Sequence, residues 1–487
     1  MGRRHVSRRL FLRRVGEGFA AAATTRLAMC DTRSSADQPN VLFICIDDLN
    51  DWVGCLGGHP DVKTPNLDRL ASRGVLFTQA YCASPVCNSS RASLMTGIRP
   101  STSGVYMNTQ PWRSNSLLRD VATLPQHFMA GGYTALGAGK IYQDSFPDPP
   151  SWEEYWPSQL INRPDDPMPP VRPLNGIPYT GEFDWGPIDV EDEEMGDWQV
   201  TDWVIEQLRR DFRRPFFLAC GIYRPHLPWY VPRKYFDLYP IDKVTLPEVC
   251  EEDLDDIPPA GRSFVGGQDH ANVLRYDQWR FAVQAYLASI SFADTCVGRL
   301  LDALDQSPYR DGTFIILWSD QGWHLGEKLH WRKFALWEEA THNVLMMAGP
   351  GIVPGGRCKA PVSLLDIYPT VTDLCGLSSP KYLEGRNLKD LLKNPGVQWQ
   401  WPVVTTHRKG NHSVRSERWR YTRYADGSEE LYDHTEDPME WTNLASRSDL
   451  SDIKSDLARW VPEYDAPYDP VPERGLPPEI GKVGILE

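Results

Sequence analysis

No two cysteines in this sequence are spaced as CxxC, and no stretch approaches the ~18 consecutive apolar residues of a membrane span. No segment repeats another. The first absence, with no tandem ligand spacing, excludes zinc ribbons and dithiol redox motifs. The second predicts that the chain has no transmembrane span. Positive charge is also short, with 51 Lys and Arg against 65 Asp and Glu and a net charge of −14. An acidic body excludes general nucleic-acid binding and demands that any anion site concentrate its cations locally. What remains is 487 residues of ordinary apolar content. That length suits two to four domains, or one large α/β domain with an appendage. Of the ten cysteines, most read as small buried thiols, such as Cys45 in an apolar run.

The scarce positive charge is unevenly placed. Residues 1–34 hold eight arginines against Glu17 and Asp31, a net of +6, which leaves −20 for the rest. Ser7-Arg8-Arg9-Leu10-Phe11-Leu12 resembles a twin-arginine export motif, followed by an alanine-rich stretch. The expectation is export to the periplasm or beyond by the twin-arginine machinery, the plainer reading being a disordered basic arm. Leu27-Ala28-Met29-Cys30 faintly resembles a lipoprotein box.

From Asn40, NVLFICI reads as a fully buried parallel strand that delivers Asp47, Asp48 and Asn50 at its carboxyl end, where open α/β sheets place ligands. Thr64-Pro65 opens a helix with Leu67, Leu70 and Ala71 on its apolar face and Gly74 as its stop. The next element is expected over 91–96. A helix over 123–132, a strand and loop over 133–140, a helix over 198–208 and a strand over 216–222 continue the alternation. The clearest helix covers 276–304, with Phe281, Ala285, Ile290 and Leu300 at apolar positions. TFIILWSD, residues 313–320, repeats the first strand's design, and a further strand from Val344 precedes a helix closed by Gly376. The pattern predicts an α/β fold, a large mostly parallel sheet flanked by helices. Two stretches interrupt it, 144–196, rich in Pro, Trp and Asp and able to act as a lid, and 240–270. After 385 the texture changes, and Asp426-Gly427 marks a hairpin. The domain expectation is therefore an export segment at 1–34, a catalytic domain at 38–385, and at 386–487 a small antiparallel subdomain with a Pro-rich tail after Trp460 that wraps the surface.

Two strand ends carrying Asp47-Asp48 and Asp320-Gln321 bring three carboxylates and an amide oxygen together. Charges of one sign that close need a cation, and an all-oxygen set suits calcium or magnesium rather than zinc. Arg91, Lys140, Lys333 and His226 follow apolar elements or lie in loops. A metal with such cations is suited to a tetrahedral oxyanion, a sulfate or phosphate ester.

CNSSRASLMTG, residues 87–97, resembles the CxPxR signature of the sulfatases. NVLFICIDDLNDW, GAGKIYQ, YRPHLPW and SDQGWHLGEKLHWRK resemble further family segments in the same order, over about 40–444. In particular the chain is similar to the iduronate-2-sulfatase-like branch. The resemblance implies an alkaline-phosphatase-like α/β fold and hydrolysis of sulfate esters on carbohydrate, with a uronate 2-position as the expected site. It also implies that a formylglycine-generating enzyme oxidises Cys87 to Cα-formylglycine. One geminal hydroxyl of the hydrated aldehyde then attacks sulfur, and the resulting hemiacetal sulfate expels sulfate to regenerate the aldehyde. Carried over by motif, Asp47, Asp48, Asp320 and Gln321 hold calcium with the modified Cys87. Arg91 orients that side chain, Lys140 and Lys333 bind sulfate oxygens, and His226 protonates the leaving alcohol.

Three positions depart from the pattern: Ser89 replaces the signature proline, Gln143 a histidine, and Gln321 an Asn or His. Two other readings stay open: a phosphodiesterase or phosphonate hydrolase of the same fold, and a non-catalytic binder of sulfated glycans. Arg224, Lys328, His330 and Arg332, with the 144–196 stretch, are candidates either to frame an anionic sugar or to be ordinary rim residues.

Overall fold

The computed structural model describes residues 38–178 and 181–471. The export-type segment with Cys30, and the tail beyond 471, lie outside the described residues. Among those described, no helix is long and apolar enough to cross a membrane.

In chain order the principal elements are β1 (Asn40–Ile46), α1 (Pro65–Arg73), β2 (Gly74–Tyr81), α2 (Cys87–Thr96), α3 (Leu124–Ala130), β3 (Thr134–Gly139) and β4 (Glu154–Trp156). They continue with α4 (Gly196–Leu208), β5 (Phe216–Ile222), α5 (Trp279–Asp305), β6 (Thr313–Ser319), β7 (His342–Ala348), β8 (Gly356–Cys358), β9 (Val362–Ser363) and α6 (Ile367–Leu374). Nine strands form one sheet in the order β8-β2-β7-β6-β1-β5-β3-β4, with β9 also on β2. β1 runs parallel to β5 and β6 at its centre, and β3 is parallel to β5. β7 alone inserts antiparallel, between β6 and β2. This is the mostly parallel sheet the sequence predicts.

The continuous apolar run of β1 has its reason in the layers. Leu42, Ile44 and Ile46 face one core with α1, α4 and α5, whereas Val41, Phe43 and Cys45 face a second core with α2, α3 and α6. Each fully buried aliphatic side chain adds about 2 kcal/mol of transfer free energy before entropy is subtracted. At the sheet's carboxyl edge β3 and β5 touch main chain to main chain. Gly139 has φ 80°, and a Cβ there would lie 1.9 Å from the Gly221 carbonyl oxygen; one on Gly221 would lie 2.4 Å from the Lys140 nitrogen.

Several expectations are corrected. The second helix starts at Cys87 rather than Arg91. Gly74 not only ends α1 but begins β2, a strand the sequence reading does not contain, because GVLFTQAY follows the helix with no intervening turn residues. Thr64 caps nothing with its side chain, which accepts from Gly54 N–H instead. The long helix starts at Trp279, and Phe281 on it is 45% exposed. The 144–196 stretch is largely irregular, with β4 and a short strand Trp185–Ile188 paired to Trp229–Pro232. Short helices Pro259–Arg262 and Asp269–Arg275 lie in and just after the second irregular stretch.

Four strands, β10 (Val403–Thr406), β11 (His412–Arg415), β12 (Trp419–Arg423) and β13 (Glu429–Asp433), form the expected antiparallel C-terminal sheet. Gly427, at φ 87°, supplies the left-handed residue of the β12–β13 turn. A helix at Ser451–Ala458 follows, and residues 461–471 cross the surface without helix or strand.

Candidate active site

The site is built where the central parallel strands end. β1 runs into Asp47 and Asp48, β6 into Asp320 and Gln321, β3 into Lys140, and β5 into the loop bearing His226. Asp48 holds φ 58°, a left-handed conformation that costs a residue with a Cβ roughly 1–2 kcal/mol. Two bonds hold it there: its N–H donates to Asp320 Oδ1 at 3.1 Å, and its carbonyl accepts from the Tyr286 hydroxyl at 2.7 Å. Successive acids can thereby both serve one site.

α2 approaches these ends with Cys87 as its first residue, and all ten of its residues are buried. Its polar side chains must therefore find partners inside the protein. Asn88 Nδ2 donates to the Met107 and Gln110 carbonyls, each at 2.8 Å, and Ser89 Oγ to the Val105 carbonyl at 2.7 Å. Ser90 Oγ donates to the Asp320 carbonyl at 2.6 Å. Arg91 is a tie rather than a turn residue. Its Nε donates to Asp320 Oδ2 and its Nη2 to Asp47 Oδ1, both at 2.8 Å, and Nη1 to the Lys140 and Ile141 carbonyls. One fully buried guanidinium thus fastens β1, β3 and β6 at their ends.

Cys87 is 1% exposed. Lys333 Nζ lies 3.0 Å from its sulfur and Gln321 Nε2 3.4 Å, and its thiol points at Asp47 Oδ1, 3.9 Å away. Burial pushes the thiol up to about 12 against the pull of Lys333, so it keeps its proton at neutral pH. Lys140 Nζ stands 2.6 Å from Asp47 Oδ2, and Lys333 Nζ 2.6 Å from Asp48 Oδ1. Burial opposes both ammonium groups, but the carboxylates carry them above their ordinary range. Burial also opposes the Asp47 carboxylate, yet Lys140 and Arg91 hold it well below the usual value. Asp320 goes the other way, lifted to about 7 by burial and by Asp47 and Asp48 in spite of Arg91. Burial, reinforced by Lys140, drives His226 well below its ordinary value, so the ring is neutral. Its Nδ1–H donates to the Leu227 carbonyl at 2.6 Å, leaving Nε2 3.7 Å from Asp48 Oδ2.

These residues fit a hard divalent cation. Ligand atoms of Asp47, Cys87 and Asp320 lie within 4.8 Å of one another. Asp48 Oδ2 and Gln321 Oε1 are buried without a hydrogen-bond partner. Thiol aside, every donor is oxygen, the preference of calcium or magnesium. Gln321 currently turns its amide nitrogen toward Asp48 Oδ1 and Cys87. Three carboxylates balance Arg91, Lys140 and Lys333, so a divalent cation would leave the pocket positive and receptive to an anion.

The structure brings together Asp47, Asp48, Cys87, Arg91, Lys140, His226, Asp320, Gln321 and Lys333. The four candidate frame residues each have a partner inside the protein. Lys328 is 3% exposed and donates to Asp253 and the Glu440 carbonyl. His330, 2% exposed, accepts from Gly266 N–H and donates to the Lys333 carbonyl. Arg332 pairs with Asp269 at 2.6 Å, and Arg224, 1% exposed, with Asp166 at 2.8 Å. Sequence reasoning missed Tyr286 and Ser90, whose partners lie more than 200 residues away and leave no local signal. A cavity of about 650 Å³ beside α4 and α5, lined by Asp202, Glu206, Arg209 and Arg299 among others, includes none of the site residues.

A sulfatase family model matches residues 39–377, and a model of the N-sulphoglucosamine sulphohydrolase C-terminal region matches 326–465. A sulfatase of Formosa agariphila is 38% identical over 453 residues, covering 90% of this chain and 89% of its own. Human iduronate 2-sulfatase is 32% identical over 410 residues, covering 71% and 70%. Among solved structures, a phosphonate monoester hydrolase of Agrobacterium radiobacter superposes with TM-score 0.72 at 23% identity, over 87% of this chain and 94% of that one. A 2-O GAG sulfatase superposes with TM-score 0.68 at 22% identity, over 87% and 90%. At those identities the two likenesses speak for the fold, which is of the alkaline-phosphatase and sulfatase type. By the family match over more than half its length and by these relatives, the chain belongs to the sulfatase family and is a sulfuric ester hydrolase.

Proposed function

We propose that this enzyme is exported and releases sulfate from a sulfated carbohydrate, with iduronate-2-sulfatase-like specificity, through a Cα-formylglycine made from Cys87. The observation that carries the reading is the setting of Cys87: first residue of a buried helix, with Lys333, Gln321 and Asp47 at its sulfur. A thiol that keeps its proton serves poorly as a nucleophile, so this position gains its chemistry on conversion by a formylglycine-generating enzyme. Asp47, Asp48, Asp320 and Gln321, with the converted side chain, would hold calcium, magnesium being the other ion that suits the donors. Bound there, the cation supplies Lewis acidity and offsets the carboxylates, while the formylglycine supplies the attacking oxygen.

The remaining steps belong to the chain's own side chains. Lys140 and Lys333, both buried and charged, take the sulfate oxygens in exchange for their present carboxylate partners. Arg91 fixes Asp47 and Asp320 relative to each other and makes no hydrogen bond to Cys87 itself. At His226, Nε2 is the atom that gains a proton and passes it to the leaving oxygen; an arriving anion favours the charged ring that burial and Lys140 disfavour. Gln143 has a buried Oε1 without a hydrogen-bond partner, and no group on it can carry a proton as histidine would.

Mass spectrometry of the Cys87 peptide from native-host protein, paired with sulfate release from sulfated uronate disaccharides, tests the reading. The expected result is an aldehyde mass together with released sulfate. An intact thiol in active protein overturns the formylglycine route, and an aldehyde without sulfate release favours the glycan-binding reading. Faster turnover of an aryl phosphate diester than of an aryl sulfate would instead favour the phosphodiesterase reading.

A further inference from the structure

The irregular 144–196 stretch is pinned to the active-site end of β3. Gly139 N–H donates to the Asn162 carbonyl at 2.9 Å, and Asn162 Nδ2 to Asp144 Oδ1 at 3.0 Å. The next residue, Arg163, lays its guanidinium over the Tyr223 ring, with Cζ 3.7 Å from the centroid. The same ring has Lys140 Nζ 5.0 Å from its centroid and the His226 ring at 4.6 Å. Tyr223 is therefore a shared neighbour of Arg163 and of the two side chains assigned to the sulfate and to the leaving oxygen.

Arg163 also has unused donors. Its Nη1 donates to Asp166 Oδ2 at 3.1 Å and to the Pro164 carbonyl at 3.4 Å. Among the described residues, Nε and Nη2 donate to nothing, and the side chain is 19% exposed. Behind it Arg224 uses the same Asp166 oxygen, at 2.8 Å, and its buried Nη1 has no acceptor. The neighbouring Asp197 is spent, its two oxygens taken by the Tyr223 and Arg224 N–H groups at 2.7 and 2.8 Å. Two guanidiniums thus share one carboxylate oxygen and keep N–H groups in reserve. Buried donors without acceptors are rare and call for a missing acceptor. Asp166, Asp197 and Asp144 beside Arg163, and Glu182 beside Tyr223, are the acids that act against a further anion here; Asp166 is shared by the two guanidiniums and Asp144 is held by Asn162.

We propose that Arg163 reads a second anionic group on the substrate, a carboxylate or a second sulfate carried by the same sugar as the ester being cleaved. This rests on the sulfated-carbohydrate reading above. A planar guanidinium with free N–H groups suits either oxyanion through paired hydrogen bonds.

The test compares a sulfated uronate disaccharide, its carboxyl-reduced counterpart, a disulfated neutral sugar and a neutral aryl sulfate. Wild type, Arg163→Gln and Arg163→Lys are assayed as full chains with conversion of Cys87 verified by mass. The expected result is that wild type favours a doubly anionic substrate over the reduced one at least tenfold in kcat/KM, that Arg163→Gln lowers this ratio to near one, and that Arg163→Lys retains part of it. Whether the uronate or the disulfated sugar shows the preference identifies the second anion. The same pairs are titrated calorimetrically against unconverted protein, a readout that needs no turnover and is expected to show the same loss of preference in Arg163→Gln. No preference in wild type by either readout, or a parallel loss on all substrates in Arg163→Gln, overturns the proposal. Absence of sulfate release with the binding preference intact overturns the functional reading and leaves this one standing.

Discussion

Two buried charge clusters in this protein use the same ingredients and behave in opposite ways. The first is the site at the strand ends. The second is a clasp between Glu338, just before β7, and the C-terminal sheet, formed with Arg415, Arg420, His434 and Glu440. In the clasp every carboxylate oxygen is met. Glu338 Oε1 accepts from the Tyr81 hydroxyl at 2.7 Å and Oε2 from Arg415 and Arg420. Glu440 Oε1 accepts from His434 at 2.9 Å and Oε2 from Glu338 N–H at 3.0 Å. Burial opposes both acids, yet their arginine and histidine partners hold Glu338 well below the usual range and Glu440 down to about 2. At the site Asp48 and Asp320 are raised instead, and oxygens of Asp48 and Gln321 go unmet. Ligand atoms of Glu338, His434 and Glu440 lie as close together as those of Asp47, Cys87 and Asp320. Proximity alone therefore does not distinguish a metal centre from a structural joint; the unmet oxygens at the strand ends are what set these two clusters apart.

The contrast can be broken most sharply at Cys87. Cys87→Ala is expected to lower sulfate release by 10^4-fold or more, the scale of losing a nucleophile. Its cost in stability is expected to be about 1 kcal/mol by urea unfolding. Comparable residual turnover would remove the site from the chemistry. Glu338→Ala inverts the pattern: leaving Arg415 and Arg420 unpaired should cost about 3–5 kcal/mol in the same unfolding measurement, with turnover per folded molecule retained. A fall in turnover with no loss of stability would make the clasp functional rather than structural.

Calcium separates the clusters by linkage. At a hundredfold excess over its Kd it should stabilise the wild type by about 2.7 kcal/mol, read as a rise in Tm. Asp48→Asn should abolish that rise and Glu440→Gln should leave it; the reverse pattern would place the cation in the clasp. The smallest effect is expected from Ser89→Pro. Proline is tolerated in a first helical turn, but the change strips the Val105 carbonyl of its 2.7 Å partner, at about 1 kcal/mol. It should raise the fraction of Cys87 converted, as measured by peptide mass. An unchanged fraction would mean that serine serves the modifying enzyme as well as proline.

The same two regions explain what the sequence could reveal. A buried parallel strand is a local apolar run, and the acids after it follow from the chain's own order, so Asp47, Asp48 and Asp320 were legible together. Cys87, Lys140 and Lys333 were legible through motif resemblance. The bonds that make these residues a site were not, since Arg91 to Asp320 and Tyr286 to Asp48 each span more than 200 positions. The clasp left no trace at all. Glu338, Arg415 and Glu440 each look like solvated surface charges, and Lys328 and His330 next to the Lys333 loop looked like rim residues for the same reason. Burial of a charge is decided by partners elsewhere in the chain, which no local pattern records.

The contact between Gly139 and Gly221 bears on all of this. Because a Cβ at Gly139 would lie 1.9 Å from a main-chain oxygen, β3 and β5 meet with nothing between them. The spacing from Lys140 to Tyr223 and His226 is consequently gauged by peptide planes rather than by side chains. Substitutions around the pocket act on side chains, whereas the offset between the main chains that carry Lys140 and Tyr223 is a dimension of the backbone itself. Two glycines thereby act as a fixed caliper between the ends of β3 and β5.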